Sequence, residues 1–120
     1  MHCQLRSADR SYFDGDASMV VANSPRGEFA VMEGHAPLLA VLDRGAVRIH
    51  TESGPQVFAC RRGTLRTTGD CVHVLVETAY PLEEIDPEAI DAQLAALDEN
   101  APAEEREYLA SLRVIKERHG

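Results

Sequence analysis

The chain has 120 residues, 44% of them hydrophobic, and a formal net charge of -8, which suits one modest core with a small appendage. That acidity argues against a nucleic-acid partner, because phosphates are met by a basic stripe that neither half of the chain possesses. The three cysteines, Cys3, Cys60 and Cys71, form no Cys-x-x-Cys pair and cannot all be bridged, so free thiols in a reducing compartment are expected.

From residue 2 to about residue 78 the pattern is one of short strands broken by turn residues, as in a β-sandwich. The stretch from Gly27 to Leu39 reads as a short apolar strand held between two glycine turns, followed at once by a rigid His35-Ala36-Pro37 corner. Proline fixes its own φ and biases the residue before it toward extended backbone, so this corner is built to hold a shape. The longest uncharged apolar run, residues 36 to 42, is far shorter than the roughly 18 to 20 residues that cross a bilayer, and a soluble chain without a leader is expected. Val47 and Ile49 alternate with Arg48 and His50, which predicts one buried and one solvated face. Gly54-Pro55, Arg62-Gly63 and Gly69-Asp70 are turn signals between hairpin strands. Val72, Val74 and Val76 alternate with Cys71, His73 and Leu75, which predicts a strand covered on both faces.

The period changes near residue 81. Asp86 before Pro87 is an N-cap followed by a proline at the first helical position, with Ile85 and Ile90 placed as a hydrophobic staple. Ile90, Leu94 and Leu97 form one stripe, and the pattern stops at Asn100-Ala101-Pro102. A second helix follows, with Glu104 and Glu105 in its first turn, a stripe of Tyr108, Leu109, Leu112 and Ile115, and Lys116 and Arg118 in its last turn. The predicted organisation is a β-sandwich over residues 1–80 and an antiparallel two-helix hairpin over residues 81–120. Neither helix is long enough to be stable alone, so the hairpin buries its stripes on itself, on the sandwich or on a partner. Charge follows the same division: residues 1–80 carry 8 Lys/Arg against 9 Asp/Glu, and residues 81–120 carry 4 against 11.

Chemistry is thinly represented. His35 with Glu28 and Glu33 has the composition of an acid-base cluster, but no nucleophile elbow, metal-spaced histidine pair or phosphate loop accompanies it. A loop histidine that shapes a contact surface is the preferred reading, and no catalytic residue is assigned. His2, Cys3, Cys60, Cys71 and His73 lack the paired spacing of zinc ligands, so no metal is expected. Arg113, Lys116 and Arg118 either complement the last helical carbonyls or form a patch for an acidic partner.

The stretch Gly27-Glu28-Phe29-Ala30-Val31, then Gly34-His35-Ala36-Pro37-Leu38-Leu39, resembles the signature of the epsilon subunit of F-type ATP synthases, called delta in mitochondria. There a Gly-Glu-Leu-Gly-Ile strand runs into a Gly-His-Ala-Pro-Leu-Leu loop. The resemblance continues in order through Ser7-Ala8, Tyr12 to Gly15, Gly45 to Ile49, Gly63-Thr64-Leu65, Val72 to Ala79 and Leu112 to Ile115. Ala30 stands where the family has glycine, and Glu33 where it usually has proline.

The resemblance implies a β-sandwich of about ten short strands followed by a helical hairpin. It implies a non-catalytic subunit of the central stalk, linking the gamma subunit to the c ring in ATP synthesis driven by an ion gradient, on the cytoplasmic face of an energy-transducing membrane. Glu28, Met32, Glu33, Gly34 and His35 are then the residues that face the c ring. In some members the hairpin unfolds away from the sandwich and hinders ATP hydrolysis in the head of alpha and beta subunits, which makes Arg113, Lys116 and Arg118 candidates for contact with beta subunits. About 18 residues from Pro102 span only about 27 Å as helix, a short reach. Some members bind ATP through an Ile-Asp-x-x-Arg-Ala motif, whereas this chain has Ile90-Asp91-Ala92-Gln93-Leu94-Ala95; Leu94 removes the cation that would meet phosphate, and no nucleotide or other cofactor is expected. The alternatives from other classes are a free cytosolic β-sandwich adaptor and a small hydrolase using His35 and Glu33, the latter requiring a concave pocket around the histidine.

Overall fold

The computed structural model describes residues 1–97 and 100–119. Ten strands come first: β1 (His2–Arg6), β2 (Ser11–Asp16), β3 (Met19–Ser24), β4 (Gly27–Met32), β5 (Leu38–Leu42), β6 (Gly45–Thr51), β7 (Gly54–Cys60), β8 (Gly63–Thr68), β9 (Cys71–Val76) and β10 (Ala79–Pro81). A single 3-10 turn, Leu82–Glu84, leads to helices α1 (Pro87–Ala96) and α2 (Ala103–His119). The strands form two five-stranded sheets, the first in the order β2-β1-β9-β8-β5 and the second in the order β10-β7-β6-β3-β4. Most sequential neighbours are antiparallel, as the turn signals predict. The exception is β1, which lies parallel to β9, His2 opposite Cys71 and Leu5 opposite Val74. That pairing ties the start of the β region to its end.

Between the sheets lies the main core, in which Leu5, Val20, Ile49, Leu65 and Val74 are among the most deeply buried residues. Val47 and Ile49 point inward while Arg48 and His50 stay half-buried, in agreement with the predicted alternation. Strand β9 departs from expectation. Val72, Val74 and Val76 are buried, but Leu75 on the opposite face is 50% exposed. Nothing among the described residues covers that face, because both helices lie on the other sheet.

The helices pack on the outer face of the second sheet. Val57 and Ala59 of β7 join Ile85, Ile90, Tyr108, Leu109, Leu112 and Ile115 in a separate core, with Leu94 and Leu97 half-buried at its edge. Asp86 caps α1 by accepting a hydrogen bond from the Glu88 N–H at 3.1 Å, and Ile85 and Ile90 meet as the staple predicts. Helix α1 stops at Ala96, short of the predicted Asn100, because Leu97 turns to extended backbone and bonds its N–H to the Leu94 carbonyl. Asp98 and Glu99, within the predicted stretch, lie outside the described residues. The buried Tyr108 hydroxyl donates to the Ala59 carbonyl at 3.2 Å, which fixes α2 in register on β7. Burial pushes the Tyr108 hydroxyl well above the usual phenol range, so it stays a donor. Burial likewise raises the Cys3 and Cys60 thiols to about 12, leaving them unreactive members of the core.

Two substitutions test this architecture. A Cβ on Gly63 would lie 2.0 Å from the Leu75 carbonyl oxygen, so Gly63→Ala forces β8 away from β9. A loss of about 1–3 kcal/mol is expected in denaturant unfolding. Leu112 is fully buried in the helix-sheet core, and Leu112→Ala is expected to cost about 2–5 kcal/mol of hairpin docking. Hydrogen exchange should then accelerate across residues 87–119 while the inter-sheet strands keep their protection.

Candidate functional site

The predicted contact loop is a projecting turn between β4 and β5. Gly34 reverses the chain with φ +83°, a conformation other residues rarely adopt. The His35 N–H donates to the Met32 carbonyl at 3.1 Å. His35 Nδ1 lies 2.7 Å from the Ala36 carbonyl oxygen, so Nδ1 carries the proton and donates. The anchor for the corner is Thr67 of β8, buried in the first sheet. Its Oγ1 donates to the Ala36 carbonyl at 3.2 Å and accepts from the Leu38 N–H at 2.9 Å. Sequence reading missed Thr67, since one threonine in a strand carries no local signal of what it will bracket. Met32, Glu33 and His35 are exposed around this anchored backbone. They form a convex tip, the opposite of the concave pocket that a hydrolase based on His35 and Glu33 requires.

Glu28 stands apart from this tip. It lies four residues from Met32 along β4, a separation of about 13 Å in a strand. Its Oε1 accepts from Arg48 Nη2 at 2.8 Å. Both residues line a cavity beneath the end of α2, together with Ile115, Arg118 and His119. Partial burial and the neighbouring Arg48 and Arg118 hold the His119 ring below its ordinary pKa, with Glu28 acting in the opposite direction. The acid-base cluster of Glu28, Glu33 and His35 is therefore not assembled.

The basic end of α2 is largely engaged within the chain. Arg113 pairs with Asp91 of α1 and with Glu117 one turn on, and Lys116 Nζ donates to the Leu82 carbonyl at 3.0 Å. Lys116 thus serves the carbonyl of another element, not those of its own helix. Arg118 is exposed. At the other end of α2, Arg62 reaches Glu104 at 2.7 Å and Arg44 reaches Glu107 at 2.9 Å. The Arg61 guanidinium sits 5.5 Å from the Tyr108 ring centre. This clasp uses turns far from α2 in sequence, which is why linear spacing gives no sign of it.

The five candidate metal-ligating residues are divided among environments. Cys3 and Cys60 lie in the inter-sheet core, Cys71 is half-buried at the start of β9, His2 pairs with Asp14, and His73 Nδ1 lies 3.1 Å from Gln4 Oε1. Among the described residues no cluster of three or more such side chains has metal-binding geometry.

A second surface escaped sequence reading. The outer face of the first sheet is bare, with Leu39 71%, Val41 66% and Leu75 50% exposed. Leu39 and Leu75, along with Gln4, Arg6 and Arg66, line a groove of about 420 Å³. Leu39 and Val41 lie in the apolar run of residues 36 to 42, but whether an apolar face is covered is settled only when the helices choose a sheet.

Residues 1–82 match the family of the ATP synthase delta/epsilon chain, beta-sandwich domain. An ATP synthase epsilon chain of Streptomyces griseus is 39% identical over 109 residues, covering 88% of both chains. One of Legionella pneumophila is 38% identical over 104 residues, covering 86% of this chain and 70% of its own. Among solved structures, a chain of the Euglena gracilis mitochondrial ATP synthase superposes with a TM-score of 0.72 at 20% identity, covering 98% of this chain and 80% of the other. A chain from the central stalk and c-ring structure of the Tetrahymena thermophila enzyme gives 0.70 at 12% identity, with 96% and 95% covered. A sandwich with this strand order, its anchored turn and its packed hairpin, matched along nearly its whole length by epsilon chains, belongs to the delta/epsilon chain family of ATP synthases.

Proposed function

We propose that the chain is the non-catalytic central-stalk subunit of an F-type ATP synthase and joins the gamma subunit to the c ring. The observation that carries the reading is the tip of Met32, Glu33, Gly34 and His35, whose side chains are exposed while its backbone is held from below by Thr67. A rotor joint transmits torque, so its contact surface must resist shear. A turn restrained by buried hydrogen bonds does so with little loss of conformational entropy on docking. The tip meets the polar loops of the c ring, and the bare face of the first sheet is left for gamma. Stable joints of this kind bury about 1,200 to 2,000 Å² with an apolar centre and polar rim. Leu39, Val41 and Leu75 supply such a centre.

The chain then sits as a peripheral component on the cytoplasmic face of the energy-transducing membrane. No helix among the described residues is long and apolar enough to cross a membrane. The β body of residues 1–80 and the hairpin of residues 81–120 act as separable units. With the hairpin packed down, Arg113 and Lys116 are occupied by Asp91, Glu117 and the Leu82 carbonyl. Lifting α2 frees both, along with Arg118, for the acidic surface of beta subunits, a contact that salt weakens.

Each half of the reading has its own test. Replacing Met32, Glu33 and His35 together by alanine is expected to lower the amount of this subunit retained on purified c ring, and adding Glu28→Ala is expected to change retention no further. Retention equal to wild type for the triple variant removes the tip from the interface. Removing residues 82–120, which keeps β10 whole, is expected to raise the ATPase activity of the purified complex. Unchanged hydrolysis rejects a braking role for the hairpin.

A further inference from the structure

The bare face of the first sheet ends in an unusual edge. Among the described residues strand β5 pairs only with β8, Leu39 opposite Arg66 and Val41 opposite Thr64. The Leu38 N–H turns toward Thr67 of β8 and the Asp43 N–H turns away, to the Asn23 carbonyl of the other sheet. Backbone groups alternate in direction along a strand, so Leu39 and Val41 direct their N–H and C=O groups to the open side. Among the described residues those groups have no backbone partner. Exposed edges are normally blunted by charge, proline or a bulge. The sequence from Leu38 to Leu42, Leu-Leu-Ala-Val-Leu, has none of these.

The groove beside this edge is lined by Arg6 and Arg66 and, among the described residues, by no carboxylate; Asp14, at the far edge of the sheet, is taken up by Gln4 and His2. Register aligns two rows across the sheet, Leu39, Arg66, His73 and Gln4 in one and Val41, Thr64, Leu75 and Arg6 in the other. Arg66 is exposed and has no ion pair or hydrogen bond among the described residues. In a chain of net charge -8, a cationic groove flanked by apolar side chains selects its occupant by charge.

We propose that β5 receives an extended segment of the gamma subunit as a sixth strand, with apolar residues set beside Leu39 and Val41 and a carboxylate directed to Arg66. The proposal rests on the stalk role above and adds the mode of docking. Strand addition satisfies the open N–H and C=O groups, and side chains on alternate residues supply specificity. The incoming strand lies two strand spacings from β8, about 10 Å, a span that an arginine and a glutamate side chain close between them. A second copy of this chain is the poorer occupant. It sets one β5 edge against another, with Arg66 of each copy facing the other's apolar Leu39 and Val41, and both copies carry net charge of the same sign.

The test measures binding of the full-length chain to the gamma subunit of the same complex for wild type, Val41→Thr, Val41→Pro and Arg66→Glu, each confirmed folded by circular dichroism. Val41→Pro removes an outward N–H and leaves the β8 ladder intact, whereas Val41→Thr keeps that donor. Wild-type affinity for Val41→Thr, with affinity about tenfold weaker for Val41→Pro and for Arg66→Glu, is the expected result. For Arg66→Glu the salt dependence of binding should also fall. Wild-type affinity for either Val41→Pro or Arg66→Glu overturns the proposal, as does a wild-type dimer in sedimentation that Val41→Pro abolishes. If wild type itself fails to bind gamma, the stalk role fails first, an outcome separate from loss confined to the variants.

Discussion

A sandwich of two five-stranded sheets has four faces, and packing the sheets together buries only two of them. Much of this molecule follows from how it treats the remaining pair. The second sheet covers its outer face with the hairpin, through Val57 and Ala59 against Tyr108, Leu109, Leu112 and Ile115. The first sheet leaves its outer face bare, with Leu39, Val41 and Leu75 in solvent. Apolar area of that kind is favourable to remove from water, at roughly 25 cal/mol per Å². One face is therefore satisfied within the chain, and the other is available to a different subunit.

The hairpin is held on its sheet by two kinds of interaction with different sensitivities. The apolar stripe and the Tyr108 to Ala59 hydrogen bond are buried, so they respond little to ionic strength. The clasp of Arg44 and Arg62 on Glu107 and Glu104 is partly solvated, and each such pair contributes little by itself. Its value lies in register, since it joins the first turns of α2 to turns after β5 and β7. The acidic excess of the last 40 residues thereby acquires a structural purpose: part of it faces arginines of the β region. At the far end of α2, Arg48, Glu28, Arg118 and His119 meet around one cavity. The last turns of α2 are held by the Arg113 pair with Asp91 and by Lys116 on the Leu82 carbonyl, with the buried stripe between these contacts and the clasp.

The convex tip follows a different logic. Gly34 allows the reversal, Pro37 restricts the corner, and Thr67 supplies two hydrogen bonds from inside the first sheet. Because the backbone is satisfied from within, Met32, Glu33 and His35 are left to face outward. A tip built this way presents a fixed shape, its backbone restrained while its side chains are exposed.

The sequence by itself determined the period-two strands, the staple of Ile85 and Ile90, the Asp86 cap, the stripe of α2 and the glycine-flanked turn. All of these rest on neighbours within a few residues, where spacing and backbone preference decide. It also carried the ordered motifs by which the family is recognisable. Tertiary structure alone decided that Glu28 belongs with Arg48 and the end of α2, that Thr67 anchors a corner about thirty residues away in the chain, and that Leu75 lies open. It likewise decided that Lys116 bonds the Leu82 carbonyl and that the hairpin lies on the second sheet. Each of these depends on which face of which sheet a segment meets. Strand order and helix placement fix that choice through contacts distant in sequence, and no local pattern encodes them.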